Sequence, residues 1–530
     1  MHTAGTIWYN AGMEKIATDI YTFEELRKKG FTYVDKTGMI WPLVNDSIGK
    51  QFFMARPRRF GKSLLVSTLR SLFEGRRELF QGLDIEPKWD WSKSWPVIHL
   101  DLSTVQADTI ADFREALLSL VAKEARRLGV KFQESTLPSV SFAGLVTDVA
   151  DLSPDGQCVV LIDEYDKPIL GHLSRPDVTQ FRDALKPFYG VVKYLESKQR
   201  FTFITGISKF SKVSIFSDLN NLIDLTMTPS EATLLGYTHG ELRKFFPGAL
   251  AHIGEMNGRD ADWAFDEIVK WYDGYRFEEN AEKAINPVSF GLCAKCGKFQ
   301  NYWSTTAMTT FLVDALKKHP LNFAKIDIDQ RTLEAYEPER PQLTTLLYQT
   351  GYLTISGFRQ MGGMRKYDLA IPNREVENSF LTSVMPVYTG IPDEGLVNHQ
   401  FAAAEALYDG DVGKFVKALR SFFANIPYNL TDRQNEQMWQ AIVYVVLKLI
   451  GTAVTAEVMT NDGRIDMVCD APSGIYLIEF KLDRPAEEAL EQIDRNDYSA
   501  KYDLAGKKVV KIGVSFSSEQ RTITDVKVVS

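Results

Sequence analysis

The sequence is short of cysteine: four in 530 residues, Cys158, Cys293, Cys296 and Cys469, too few and too scattered for a disulfide framework in a chain of this size. A reducing cytoplasm is the expected setting. Basic residues do not exceed acidic ones. With 61 Lys and Arg against 69 Asp and Glu the formal charge is −8, so a nucleic-acid partner has to be met by local patches, not by a basic coat. No run of about 18 uninterrupted apolar residues occurs. The nearest, AIVYVVLKLIGTAV at 441–454, is broken by Lys448, so no membrane partner is expected. The opening MHTAGTIWYNAGMEKIATDIYTF lacks a basic segment followed by an apolar run and a small-residue cleavage site, so no signal peptide is expected.

What is present is the composition of an ordinary globular protein, 45% apolar and 25% charged. At roughly 100 to 200 residues per domain the chain should hold two to four. Apolar runs QFFMA (51–55), PVIHLDLS (96–103), CVVLIDEY (158–165) and FTFITGIS (201–208) read as buried parallel strands, separated by helical patterns such as FREALLSLVAKEARRLG (113–129). That alternation predicts a doubly wound α/β domain over 1–230. Residues 231–430 read as a mainly helical middle region with aromatic connectors, WYDGYRF (271–277) and NYWSTT (301–306), which are better suited to packing than to stacking on bases. Residues 431–530 read as a second α/β unit: a helix near 432–450, strands at 455–459, 464–470 and 475–482, a helix from about 485 to 503, and a strand at 508–516.

Between the strand QFFMA and the next helix lies RPRRFGKS. A tight strand-to-helix loop offers backbone N–H groups and a helix N-terminus to phosphates. Gly61, Lys62 and Ser63 are placed for this, with Lys62 reaching the outer phosphates and Ser63 coordinating magnesium. A P-loop pattern wants glycine five residues before Gly61, and Arg56 stands there; arginine resists the positive φ that glycine tolerates. A second element supports the reading: the strand VVLIDEY brings Asp163 toward the same magnesium ion and Glu164 toward a water aimed at the γ-phosphate. Thr205, with Ser208 and Lys209 beyond it, is a candidate sensor of that phosphate. Arg56, Arg58 and Arg59 read equally as phosphate contacts and as a solvated basic loop.

Near the C-terminus Glu479 and Lys481 lie two apart in an apolar strand and so share a face, while Phe480 points to the other. A hairpin return through NDGR would set Asp466 beside Glu479. Glu457, one strand earlier, is a third candidate carboxylate, and Glu436 a fainter one. Cutting a phosphodiester takes divalent cations held by carboxylates. Asp466 and Glu479 would hold magnesium, Lys481 would orient water or stabilise the crowded phosphate, and Gln492 on the next helix could touch the site. A structural Glu479–Lys481 pair at a sheet edge is the alternative.

Taken together, YVDKTGMI (33–40), RPRRFGKSLL (56–65), LIDEYDKPI (161–169), ITGISKFSKVSIFSDLNNL (204–222), WYDGYRF, GRIDMV (463–468), IEFKL (478–482) and ALEQI (489–493) resemble a bacterial and archaeal family. Its members join an AAA-like P-loop ATPase domain to a C-terminal PD-(D/E)xK nuclease-superfamily domain of restriction-endonuclease-like α/β fold. The resemblance spans nearly the whole chain and treats Arg56 as the family's own style. It implies ATP binding through Lys62, Ser63 and Asp163, and a magnesium centre at Asp466, Glu479 and Lys481. The expected function is therefore an ATPase gating a metal-dependent nuclease, acting on nucleic acid with DNA favoured over RNA. A homo-oligomer is among the expected partners, while neither the oligomeric state nor the in-trans arginine that AAA-type hydrolysis often takes is legible in the sequence. The competing expectation is a nucleotide-dependent switch whose nuclease-like domain binds without cutting.

Overall fold

The computed structural model describes residues 14–45, 47–173, 175–210, 221–303, 312, 326–389, 393–424, 443–448, 453–460, 463–502, 506–520 and 522–529. Two compact units divide the chain: Met1–Thr305 with Asp327–Val376, and Thr306–Ile326 with Glu377–Ser530.

The first unit is built on strands β1 (Gln51–Ala55), β2 (Val97–Asp101), β3 (Cys158–Asp163), β4 (Gln199–Gly206) and β5 (Ile223–Asp224), in the order β2-β3-β4-β1-β5. Every pairing among them is parallel. Residues covered on both faces must be apolar throughout, and β1 and β3 are buried at every position. Parallel neighbours also need crossovers, which the helices Lys62–Phe73, Ile110–Leu128, Pro138–Ala150 and Val178–Tyr194 supply. The helix expected from 113 begins earlier, at Ile110, because the Thr109 hydroxyl accepts the Asp112 amide at 3.2 Å and caps its first turn. It stops where Gly129 turns left-handed, at φ 73°.

The segment that follows does not stand alone. Helices His239–Phe245, Pro247–Met256, Ala261–Tyr272 and Pro287–Cys296 pack into one core with Ile16 and Val34, which precede the first strand, inside the same unit as the parallel sheet. After them comes a three-stranded sheet that the helical reading had not anticipated: β6 (Ile326–Asp329), β7 (Thr354–Met361) and β8 (Met364–Ala370), in the order β6-β8-β7. The outer half of the β7–β8 hairpin is exposed on both faces, so it carries none of the period-2 apolar alternation that marks a half-buried strand.

The second unit carries β9 (Ala453–Thr460), β10 (Gly463–Ala471), β11 (Gly474–Leu482), β12 (Val509–Ser517) and β13 (Thr522–Val529), in the order β13-β12-β11-β10-β9. Strands β9, β10 and β11 pair antiparallel in sequence, then the helix Ala486–Arg495 crosses over to place β12 parallel to β11. Strand β13 was not expected from the sequence, since only Ile523 along it is buried. On the helix-facing side of β11, Ile475 and Leu477 pack beneath Ile493 and Tyr498. Further along the same face stand Glu479 and Lys481, while Phe480 turns to the opposite side and stacks on Phe516 at 5.7 Å.

Candidate active sites

Parallel register aligns the carboxyl ends of the first sheet. Ala55 lies beside Gly206, and Asp101 beside Asp163. Ligands of open α/β sheets bind along such an edge. The loop leaving β1 makes its turn at Arg59 (φ 68°) and Gly61 (φ 98°), then enters the helix Lys62–Phe73 with no side chain capping its N-terminus. The helix's first amides are therefore presented to the loop, as phosphate binding requires. Arg56 is absent from the positive-φ residues. The left-handed turn that a glycine at 56 would have supplied falls on Arg59 and Gly61 instead.

Arg56 does not face phosphate. Its guanidinium is buried and donates to the carbonyls of Ala55 (2.9 Å), Thr226 (2.7 Å) and Glu231 (3.2 Å), with Phe277 4.2 Å beneath it. Burial lowers its pKa to about 10. The aromatics of WYDGYRF are thus part of the loop's support: Tyr275 and Phe277 also close on Phe60 at 4.7 and 5.2 Å. Of the three loop arginines, Arg59 reaches the Tyr302 carbonyl, and Arg58 lines the cavity at the loop.

Lys62 is buried, with its ammonium on the carbonyls of Arg56 (3.0 Å) and Pro57 (3.2 Å) and 3.7 Å from Glu164. The Ser63 hydroxyl lies beside the Asp163 carboxylate. Burial pushes that carboxyl up to about 6, against the nearby Ser63 hydroxyl, which pulls it down. Glu164 takes a left-handed backbone, φ 52°, which costs a non-glycine residue about 1 kcal/mol and aims its side chain back across the loop toward Lys62. Gly61, Lys62, Ser63, Asp163 and Glu164 are thereby gathered at one place. Two cavities meet there. One, of about 250 Å³, is lined on its apolar side by Ile16, Val34, Leu235, Tyr237 and Val288; the other, of about 660 Å³, is lined by His99, Asp101, Arg58, Arg70 and Lys167.

Thr205 does not join this group. Its hydroxyl donates to the Met54 carbonyl at 2.7 Å and the residue is fully buried between strands, so its polarity serves the sheet. Ser208 is likewise turned inward, donating to Asp166 at 2.6 Å, and Lys209 pairs with Asp224 at 2.5 Å.

In the second unit the ladder pair Met467–Ile478 sets Asp466 opposite Glu479. The Asp466 amide donates to Glu479 at 3.1 Å, and the Phe480 amide donates to the Asp466 carboxylate at 2.9 Å. Glu479 is buried, 1% exposed, and also receives the Gln492 amide and, at 3.5 Å, the Lys481 ammonium. Lys481 in turn donates to Gln492 at 2.8 Å. Burial first, and the Asp466 charge second, raise the Glu479 carboxyl to about 7. Two like-charged carboxylates pressed together in this way suit a divalent cation. The helix bearing Gln492 approaches this closely because β12 has Gly513 beside Glu479: a Cβ there would stand 2.3 Å from the Ala486 carbonyl. Glu457 lies in β9, and the pairs Ile465–Val458 and Met467–Ala456 bracket it opposite Asp466; its side chain, like the whole of Glu436, lies outside the described residues.

Comparison with known proteins agrees with both halves. Residues 17–216 match the model of a predicted AAA-ATPase family, and residues 434–526 match that of the PD-(D/E)XK nuclease superfamily. A protein described as uncharacterized, from the vnfD 5' region of Azotobacter chroococcum mcd 1, is 33% identical over 522 residues, covering 96% of this chain and 98% of its own length. The chain belongs to this AAA-ATPase-like family with a C-terminal PD-(D/E)XK domain.

Within this AAA-ATPase-like protein, two carboxylates beside the loop escaped sequence reasoning. Asp101 is the first, and it lines the larger cavity from β2 together with His99. The spacing HLD in an apolar strand is the signal that put both on one face. Asp166 is fully buried and accepts from the Ile207 amide (3.1 Å) and the Ser208 amide (2.6 Å), fixing the turn after β4; burial raises it to about 6. Nothing local distinguishes Asp166 from the neighbouring acids. Among the described residues no helix is long and apolar enough to cross a membrane.

Proposed function

We propose that this AAA-ATPase-like protein binds and hydrolyses ATP with magnesium, and that nucleotide state governs a metal-dependent phosphodiesterase acting on nucleic acid in its C-terminal domain. The observation that carries the reading is the Asp466–Glu479–Lys481–Gln492 cluster. It joins a buried carboxylate, Glu479, to a half-buried one, Asp466, with a lysine on the face of Glu479 and an amide from the covering helix, which a purely structural strand has no need to assemble.

At the first site, magnesium-bound ATP would supply the labile γ-phosphoryl group. The donor set fits it: uncapped helix amides, an ammonium, and a serine hydroxyl beside a carboxylate. Lys62 would move its charge from loop carbonyls to the outer phosphates, Ser63 and Asp163 would hold the metal, and Glu164 would accept a proton from the attacking water. The apolar cavity takes the base.

At the second site a divalent cation would supply Lewis acidity and a more acidic water. Asp466 and Glu479 would hold it. Lys481 donates to the phosphate oxygens as charge develops there, and Gln492 keeps both Lys481 and Glu479 in place.

The test is cleavage of single- and double-stranded DNA and RNA by the purified full chain with magnesium or manganese, with and without ATP, beside Glu479→Ala. Cleavage that disappears in the variant and depends on ATP is the expected result. Absence of cleavage under every condition, with ATP still hydrolysed, would replace this proposal by a nucleotide-driven switch that binds without cutting.

A further inference from the structure

The β7–β8 hairpin is the part of the first unit that the two sites leave unused. Its inner half is anchored, with Ile355, Tyr367 and Leu369 buried. Its outer half is solvent-exposed from Phe358 to Met364, and ends in a two-residue Gly362-Gly363 turn between Met361 and Met364, 77% and 75% exposed. Two such side chains at a hairpin tip lose about the free energy of a buried methionine each to water, a standing cost that marks a contact surface.

Register decides which side chains act together. Met361 pairs with Met364, and Arg359 with Lys366; directly paired residues share a face, and so do residues two apart. Both methionines therefore project on the same face as Arg359 and Lys366, with the cations one repeat, roughly 7 Å, behind the apolar tip. Gln360 and Arg365 occupy the other face. Within the hairpin, 354–370, three basic residues stand against one acid, Asp368, while β6 beside it brings Asp327 and Asp329, and Arg365 pairs with Glu279 at 2.5 Å. The cations are held loosely by surface carboxylates: Arg359 on Asp368 at 2.6 Å and Lys366 on Asp327 at 2.8 Å, with Arg359 and Lys366 about half exposed. Exposed pairs of this kind contribute little and exchange readily for phosphate.

We infer that the β7–β8 hairpin is a DNA-binding ribbon. It lays its methionine tip in the major groove of a B-form duplex, and sets Arg359 and Lys366 on the flanking phosphates. A two-stranded ribbon fits a groove about 12 Å wide, and apolar side chains there meet thymine methyl groups. The deep, narrow major groove of A-form RNA excludes it. The helix Leu343–Thr350 that precedes the hairpin is mostly buried. The inference takes from the proposed function only that the substrate is nucleic acid.

The experiment is fluorescence anisotropy of the full chain with a labelled DNA duplex of about two helical turns, in EDTA and without nucleotide, so that neither turnover nor cleavage enters. The variants are Met361→Ser with Met364→Ser, and Arg359→Ala with Lys366→Ala; unchanged Tm and ATP affinity serve as folding controls. The methionine pair is expected to weaken duplex binding about 5-fold or more, the cation pair to reduce the slope of log affinity against log salt by about 2, and an RNA duplex to bind less tightly and ignore both changes. Affinity and salt slope equal to the parent's, or a parent that binds no duplex, would overturn the inference. So would loss of self-association in the methionine variant with DNA binding intact, since the tip would then be a contact between copies of the chain. Cleavage without hairpin dependence would sink this inference alone, whereas hairpin-dependent binding without cleavage would sink only the nuclease reading.

Discussion

Asp466 and Glu479 hold each other through the backbone: the Asp466 amide donates to the Glu479 carboxylate at 3.1 Å, while the Asp466 carboxylate accepts from the amide next to Glu479, that of Phe480, at 2.9 Å. Each carboxylate is thus oriented by the strand that carries the other. Asp466→Asn keeps an acceptor for Phe480 and should retain the fold while cleavage falls about 100-fold or more. Asp466→Ala should in addition lower stability by about 1 to 2 kcal/mol, because a buried amide loses its partner. Thermal unfolding and metal titration by calorimetry separate the two effects.

Arg56 stands where a glycine would make the loop look more like a standard P-loop, and replacing it should nonetheless harm the protein. Arg56→Gly removes hydrogen bonds to three carbonyls and the contact with Phe277. A loss of about 2 to 4 kcal/mol is expected, seen as a fall in Tm and weaker ATP binding. A more stable variant would show that the arginine is not the loop's support.

Lys62→Ala and Glu164→Gln should part binding from chemistry. The first removes the ammonium that reaches the phosphates and should abolish detectable ATP binding. The second keeps shape and should leave ATP affinity within a few-fold while hydrolysis drops about 100-fold. Equilibrium binding of a fluorescent ATP analogue and phosphate release measure each separately. Equal losses of binding in both variants would deny Glu164 a role confined to the chemical step.

Glu375 makes stability depend on pH. Fully buried, it accepts the Tyr302 amide at 2.6 Å and the Trp303 amide at 2.7 Å; burial still dominates and raises its pKa to about 7. A carboxyl raised in the folded state binds its proton more tightly there than in the unfolded chain. Its contribution is therefore complete below the unfolded value of 4.5 and is lost as pH climbs toward and through 7. Asp163, Asp166 and Glu479 are raised as well and act in the same direction. Between pH 5 and pH 8, Glu375→Gln should lose less stability than the parent, by on the order of 2 kcal/mol. Chemical denaturation at the two values checks it; parallel losses in both proteins would mean that Glu375 is ionised throughout.

Much of both sites could be read along the chain because their signals are local. A strand buried on both faces is apolar at every step, and a glycine followed by lysine and serine sits where strand turns into helix. Carboxylate and lysine two apart share a face whatever surrounds them. These rules placed Gly61, Lys62, Ser63, Asp163 and Glu164 together, and Asp466 beside Glu479 and Lys481. What they could not decide is where a side chain turns once distant segments arrive. Arg56 is committed by Thr226, 170 residues on, and Glu375 by backbone amides 73 and 72 residues before it. Thr205, polar and well placed by sequence, is used up by the neighbouring strand, while Asp166, indistinguishable from its acidic neighbours, becomes the buried anchor of the turn beyond β4. The sequence by itself settled the buried strands that carry the two sites and which reactive residues stand at their ends, since backbone geometry and side-chain period act over a few residues; it did not reveal the β6–β8 sheet or β13, whose exposed strands lack that period. Only the tertiary structure decided which polar groups are spent inside the protein and which are left facing the cavities, because burial and hydrogen-bond partners are properties of segments far apart in the chain.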